Sequence, residues 1–326
     1  MENQEKQHKR RVRYSGTHPR SYKEKYKEHN PEKYADTIEK VIQKGGTPAG
    51  MHISIMVNEI LDFLQIKPGQ TGLDATLGYG GHTKAMLKCL NGQGHIYALD
   101  VDPIESAKTK ERLAAQGFGE DILTVRLQNF ADLDLVVKET GKKFDFILAD
   151  LRMNPLKGVS AAQRLKEVTQ EELEGMLVEN ADEPYAAEIA ATVMKWFKNG
   201  KTIETTTHMK QVIEQALVYV PKADRDEAVK KSCARTFQAL RIDVNSEFEV
   251  LYTFLEKLPE VLASNGRVAI LTFHSGEDRL VKRSFKELAA AGVYSDVSKD
   301  VIRPSAEECF RNSRAKSTKM RWAIKA

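Results

Sequence analysis

The segment Asp74-Ala75-Thr76-Leu77-Gly78-Tyr79-Gly80-Gly81-His82 decides the fold. Before it, Gly72 to Thr76 reads as a short buried strand. After it, Thr83 to Leu90 reads as a helix. Strand, glycine turn and helix in that order is how an open α/β sheet offers a nucleotide-like ligand site at the carboxyl ends of its strands. Glycines let the backbone approach such a ligand closely. The dinucleotide fingerprint Gly-x-Gly-x-x-Gly fails here, because Thr83 stands five residues after Gly78. A plain tight turn is the competing reading of the same residues.

Outward from the turn, the alternation continues. Ile55, Val57, Ile60, Leu61 and Leu64 share a helical face, ended by Pro68-Gly69. His95 to Leu99 reads as a strand ending in Asp100, Leu123 to Leu127 as a third, and Phe144 to Ala149 as a fourth ending in Asp150. Arg267 to Phe273 is a further strand. This predicts an α/β fold, a Rossmann-like, mostly parallel, doubly wound sheet covered on both faces. The interval from Asp150 to Arg267 is too long for one crossover, and it is helical in pattern. Thr169 with Glu172 forms a capping box. Pro184 and Gly200 bracket a helix whose Ile189, Val193, Trp196 and Phe197 share a face. One long helix is expected through Phe237, Leu240, Val244, Phe248, Leu251 and Leu255. The expected organisation is an extension at 1–50, a sheet domain at 51–156, an inserted all-helical domain at 157–235, and the rest of the sheet domain at 236–326.

Composition bounds the function. Of 326 residues, 41% are hydrophobic and 29% charged, enough apolar content for a sizeable core. No apolar run is long enough to span a bilayer, and the polar N-terminal stretch does not resemble a secretory signal, so no membrane role is expected. The three cysteines are scattered with no Cys-x-x-Cys pair, which argues against a metal site and for a reducing, cytoplasmic setting. Charge is uneven. Residues 1–50 carry 12 basic and 7 acidic groups, against 38 and 39 in the remainder. Lys6, Lys9, Arg10, Arg11 and Arg13, with Tyr14, Tyr22 and Tyr26, form an arm suited to a polyphosphate such as RNA. The plainer reading is a solvated tail. Arg311 to Lys325 is a second basic stretch.

Asp-x-x-x-Gly-x-Gly is the pattern of methyltransferase first loops, which hold an adenosyl group and an amino-acid tail rather than a pyrophosphate. Asp100, about 20 residues further on, is placed to accept ribose hydroxyls. Its alternative is a helix N-cap before Pro103. Phe130, after the third strand, is an adenine-flanking candidate, although such a phenylalanine is more often core. Asp150 lies at the centre of the site, where it would hold an ammonium or the acceptor amine, and a polar partner is expected for it. Arg235, Gln238, Arg241 and Asn245 lie three or four apart on a helix. That face meets RNA or forms a domain-packing network. His274, Glu277, Asp278, Arg279 and Lys282 follow the last strand at the same sheet edge. By themselves they read as a helix start with acids in its first turn.

His52, the Asp74–His82 turn, Arg235-Thr-Phe-Gln-Ala-Leu-Arg241-x-x-Val-Asn245, Phe273-His-Ser-x-Glu-Asp-Arg279-x-Val-Lys282 and Arg303-Pro-Ser-x-Glu-Glu with Arg311-Asn-x-Arg-Ala-Lys-Ser resemble the bacterial cytosine-N4 methyltransferases of small-subunit ribosomal RNA. The resemblance runs from about residue 50 to the end. It implies S-adenosyl-L-methionine as cofactor and ribosomal RNA or the small subunit as partner. Gly78 lies in the turn, and Gly80, Gly81, His82, Asp100, Phe130 and Asp150 fall on the family's cofactor positions. Asp150 and His274 become the catalytic candidates, and Arg235, Gln238, Arg241, Asn245, His274, Arg279 and Lys282 the substrate-binding ones. The helical insertion matches the family's second domain, and the basic arm marks a paralogous branch. Monomer and homodimer both stay open. Other readings are methyl transfer to another RNA site or a protein, and a non-catalytic RNA-binding or ribosome-assembly protein that kept the fold.

One departure matters. The family follows the strand-four acid with a Gly/Ser-rich loop before an Asp-x-Arg-Met sequence. Here Asp150-Leu151-Arg152-Met153 runs straight through. Part of the pocket wall is expected to be missing.

Overall fold

Short apolar strands separated by amphipathic helices assemble around one sheet. The computed structural model describes residues 54–151 and 159–326. The basic arm, His52 and the Arg152-Met153 pair lie outside them. After helix α1 (Val57–Leu64) come β1 (Thr71–Asp74), α2 (Gly81–Leu90), β2 (His95–Asp100), α3 (Pro103–Ala114), β3 (Leu123–Leu127), α4 (Asp134–Thr140) and β4 (Phe144–Asp150). Strands β1 to β4 pair in parallel, and β1 sits between β2 and β4. The chain therefore winds outward to β3 and returns on the other side of β1. That reversal creates a crevice at the carboxyl ends of β1 and β4.

A run of helices follows: α5 (Ala161–Glu167), α6 (Gln170–Ala181), α7 (Ala186–Lys198), α8 (Thr206–Ala216) and α9 (Lys222–Val244). The expected capping box is present, Thr169 and Glu172 bonding reciprocally at the start of α6. Leu173, Leu177, Ile189, Val193, Val212 and Ile213 are buried together in a core of their own. The boundary expected at 235 falls inside α9, which runs through it unbroken and contributes Ala239 and Leu240 to the helical core.

The single long helix expected from Phe237 to Leu255 is two helices. α9 stops at Val244, and α10 (Glu247–Val261) starts after Ser246, whose φ of 47° is left-handed. Helical spacing of apolar residues continues across the break, so the pattern carried no sign of it. Leu251, Phe254, Leu255 and Leu258 of α10 pack under the sheet with Phe144 and Ile147. Truncating the fully buried Phe254 to Ala would cost about 3–5 kcal/mol, the usual range for a core aromatic.

α10 runs directly into β5 (Leu262–Thr272), parallel to β4 and longer than the 267–273 expected. Then come α11 (Ser275–Ala290), β6 (Tyr294–Val297), the short helix α12 (Ala306–Arg311) and β7 (Lys319–Lys325). The sheet order is β3-β2-β1-β4-β5-β7-β6, with β7 antiparallel to both neighbours. β6 and β7 were not foreseen. Half of the stretch read as a basic RNA surface is this internal strand. Arg321 is 5% exposed and bonds Asp278 at 2.7 Å, Lys319 lies 3.6 Å from Asp278, and Lys325 donates to the Val293 carbonyl. Those charges hold the sheet and are not available to a polyanion.

The chain divides into two compact units. One comprises Met56–Pro304 and Ser317–Ala326. The other includes Ser305–Lys316, in which Ser305 caps α12 by accepting the Glu308 N–H. No helix among the described residues is long and apolar enough to cross a membrane.

Candidate active site

The glycine turn is held by the end of β2 and by α3. Asp100, at the end of β2, accepts the Gly78 N–H at 2.9 Å through Oδ2 and the Asp102 N–H at 2.9 Å through Oδ1. The Thr109 hydroxyl of α3 donates to the Gly78 carbonyl at 2.7 Å and accepts from Arg112 at 2.6 Å. Gly80 has a φ of 72°, and a Cβ there would lie 2.7 Å from the Thr109 methyl. Glycine is thus required twice over at that position, by conformation and by the helix packed against it. The alternative reading of Asp100 as a helix cap is corrected. The cap of α3 is Asp102, which accepts from Ile104 and Glu105.

Three acids line the crevice. Asp74 is 1% exposed, and it accepts the Thr83 hydroxyl at 2.6 Å and the Thr76 N–H at 3.1 Å. Burial pushes its carboxyl above the usual carboxylate value, against the opposing pull of the Thr83 bond and of His82. Asp150, 6% exposed, has the polar partner expected for it, with His82 Nδ1 3.7 Å from its Oδ2. Thr76 ties the two strand ends together by accepting the Asp150 N–H at 2.8 Å. Gly78, Gly80, Gly81, His82, Asp100 and Asp150 thus share one edge of the sheet. Phe130 is placed in the core beneath it, 6% exposed and edge-on to Phe254 at 5.3 Å.

This donor set fits a ligand that pairs a ribose with cationic groups. Each Asp100 oxygen accepts one backbone N–H, which leaves a lone pair on each for a hydroxyl. Asp74 and Asp150 supply carboxyl groups at the crevice. The bare backbone at Gly80 would hold the ligand close.

The substrate-side candidates form a network. Gln238 donates to the Asn180 carbonyl at 3.3 Å, and Arg235 lies 4.0 Å from the buried Glu183. Arg241 and Asn245 both donate to Glu247, at 2.9 and 3.1 Å. Those contacts match the packing alternative for this helix face, although the Arg235 and Arg241 side chains remain 38% and 48% exposed. Arg279 grips Asp182 at the end of α6 with two bonds, and Lys282 is exposed. His274 caps α11 through Nδ1, which accepts the Glu277 N–H, while Glu277 reaches back to the Phe273 and His274 N–H groups.

Glu247, His274 and Glu277 bring one donor atom each within 4.8 Å of the others. The cap on Nδ1 leaves Nε2 to carry the ring proton, so the ring turns a hydrogen rather than a lone pair toward the carboxylates. As arranged, the trio sets a ring hydrogen beside two carboxylates instead of cradling a cation. Sequence reading passed over Thr109 and Glu247. Thr109 carries no local signal, since its partner Gly78 is distant in the chain. Glu247 sits beside Asn245 in a motif, yet its role depends on a helix break that the pattern concealed.

A sheet of this order in which β7 alone runs against its neighbours is not the all-parallel dinucleotide sheet, and its turn lacks the third glycine of that fold. It defines the class I S-adenosylmethionine-dependent methyltransferases. Within that class the chain belongs to the MraW methylase family, whose model matches residues 49–152 and 149–326. It is 65% identical to a protein of Lachnoclostridium phytofermentans named ribosomal RNA small subunit methyltransferase H 1, over all of this chain and 95% of that protein. A protein of the same name from Agathobacter rectalis is 61% identical over 99% of each. A methyltransferase H of Koribacter versatilis is 33% identical over 84% of this chain and 94% of its own length. The family match breaks at the end of β4, with residues 149–152 matched by both pieces. The first alignment also runs to 349 positions against the 326 residues of this chain, so the relative carries residues with no counterpart here.

Proposed function

We propose that this chain transfers a methyl group from S-adenosylmethionine to the exocyclic N4 of a cytidine in small-subunit ribosomal RNA. The observation that carries the reading is the Asp100–Gly78 bond, which fixes the glycine turn beside the acids of β1 and β4. The cofactor supplies an electrophilic methyl on a sulfonium with a good leaving group. The chain's own groups bind, orient and exclude water. Gly78, Gly80, Gly81, His82, Asp100 and Asp150 hold the cofactor, backed by Phe130. Asp150 accepts from the acceptor amine, whose lone pair is delocalised into the ring. A hydrogen-bond acceptor there favours pyramidalisation and stabilises the positive charge that develops on nitrogen. His274 shapes the base pocket. The exposed parts of Arg235 and Arg241, with Lys282, meet phosphates, while Gln238, Asn245 and Arg279 fix the helices that present them. With small ribosomal subunits as substrate, the reaction would belong to the cytoplasm.

Single-turnover transfer of a labelled methyl to purified small ribosomal subunits tests the reading. The product is expected on a cytidine, at N4. Label found on protein or on another base would overturn the substrate assignment. A chain that binds subunits and cofactor without any transfer would instead be the non-catalytic reading.

A further inference from the structure

Glu247 is a buried acid, 1% exposed, at the first turn of α10. Two groups from the end of α9 hold it. Arg241 Nη2 bonds Oε2 at 2.9 Å, and Asn245 Nδ2 bonds Oε1 at 3.1 Å. Arg241 is itself half exposed, so its guanidinium has one side on Glu247 and another open to solvent. Beyond Glu247 lies the His274 ring, whose side chain is 9% exposed. Its Nε2 comes within 3.1 Å of Glu277 Oε1, yet off the N–H direction, so this buried nitrogen has no hydrogen-bond partner. Phe248, the residue after Glu247, lies against the same ring at 5.9 Å between centroids. Gly276 leaves space for both, since a Cβ there would meet the Phe248 ring at 2.6 Å.

These facts describe a buried hydrogen with two carboxylates near it and a regular bond to neither. We infer that Glu247 is a positioning residue that couples Arg241 to His274. While Arg241 and Asn245 satisfy Glu247, the His274 hydrogen stays beside Glu277. A phosphate that draws Arg241 outward leaves the Glu247 carboxylate buried and half satisfied, a costly state. The nearest remedy is the unpaired Nε2 hydrogen of His274, and a small ring rotation toward Glu247 supplies it. RNA engaged at the end of α9 would thereby set the orientation of a ring at the carboxyl edge of β5. The inference rests on the proposed role of His274 beside the acceptor base, but the coupling itself is measurable without turnover.

Selective ¹⁵N labelling of the eight histidines in the full chain reads it directly, with His274 assigned from His274→Gln. Arg241→Gln is expected to shift the His274 ring nitrogens by more than a linewidth, although Arg241 bonds Glu247 rather than the ring. In a Glu247→Gln background the same Arg241 change should leave those signals in place. Arg241→Lys keeps the charge and should keep the wild-type signals, which guards against a general loss of fold. Unmoved His274 nitrogens in Arg241→Gln, or an equal response with and without Glu247, would overturn the coupling. Loss of transfer in His274→Gln bears on the functional reading separately. If that variant methylates normally while the ring nitrogens still respond to Arg241, the coupling holds and the proposed role of His274 fails.

Discussion

Asp100 and Gly78 stand on different strand ends, and the hydrogen bond between them makes one rigid site of two loops. The bond spends one lone pair of Oδ2 on the turn and leaves another for ligand. Removing the carboxylate therefore removes a ligand contact and loosens the turn together. Asp100→Ala is expected to weaken S-adenosylmethionine binding by roughly 1.5–3 kcal/mol, the scale for hydrogen bonds to a charged group. Titration calorimetry reads the change, and equal affinity would take Asp100 out of the site.

Thr109 acts on the same turn without facing the ligand. Its hydroxyl is fully buried and bonds the Gly78 carbonyl. Thr109→Val keeps the shape and deletes this bond together with the one accepted from Arg112. It should weaken cofactor binding by about 0.5–1.5 kcal/mol, the net value of one such bond. Thr109→Ser should restore most of it. A serine variant no better than the valine variant would mean that the methyl packed on Gly80 matters as much as the hydroxyl.

Asp74 gives the site a pH dependence. Burial raises its carboxyl above the ordinary 3.8, so folding favours the protonated form more than the unfolded chain does. The stability this contributes is full below 3.8 and is lost as pH rises through the raised value. A cationic ligand beside Asp74 favours the ionised form and expels the proton. Cofactor affinity should therefore rise with pH through the raised value and then level off. Binding heats should also scale with the ionisation heat of the buffer. Asp74→Asn removes both effects, and undiminished proton release in that variant would point to another acid.

The basic arm, where the excess positive charge lies, is expected to add affinity without specificity. Deleting residues 1–27 should flatten the salt dependence of RNA binding, by about 0.7–0.9 in slope for each phosphate that the arm no longer neutralises. The arm plays no part if the slopes coincide.

What the sequence disclosed and what it concealed have a common physical cause. The glycine turn and the acids at strand ends were legible because they depend on a few adjacent residues, and strand alternation placed them. Asn245 and Ser246 break a helix while apolar residues keep helical spacing across the gap, so periodicity could not show it. β7 hid behind its charges, since Arg321 and Lys319 are neutralised by Asp278 from another element. Thr109 and Glu247 matter through partners that only the fold brings near. Local patterns carried the cofactor side, and tertiary pairing carried the substrate side.

The interruption at the end of β4 bears on rate. The family match breaks at 149–152, around Asp150, where the motif resemblance implies a Gly/Ser-rich loop in family members. Asp150 itself keeps its strand position and lies 3.7 Å from His82, so the proposed cofactor acids are in place at the sheet edge. What a loop beside them contributes is exclusion of water and placement of the acceptor. Water admitted to the site weakens the electrostatic interactions that orient the reacting groups. Poor placement of the acceptor forfeits much of the orientation contribution to the barrier. The chain as it stands should bind S-adenosylmethionine with ordinary affinity and transfer the methyl slowly. Grafting a family-type Gly/Ser loop between Leu151 and Arg152 should raise single-turnover rate more than it tightens cofactor binding. Both quantities come from one preparation, by rapid quench and by calorimetry. If the ungrafted chain already methylates small subunits as fast as the grafted one, the wall at β4 is complete without the loop and the rate is set elsewhere.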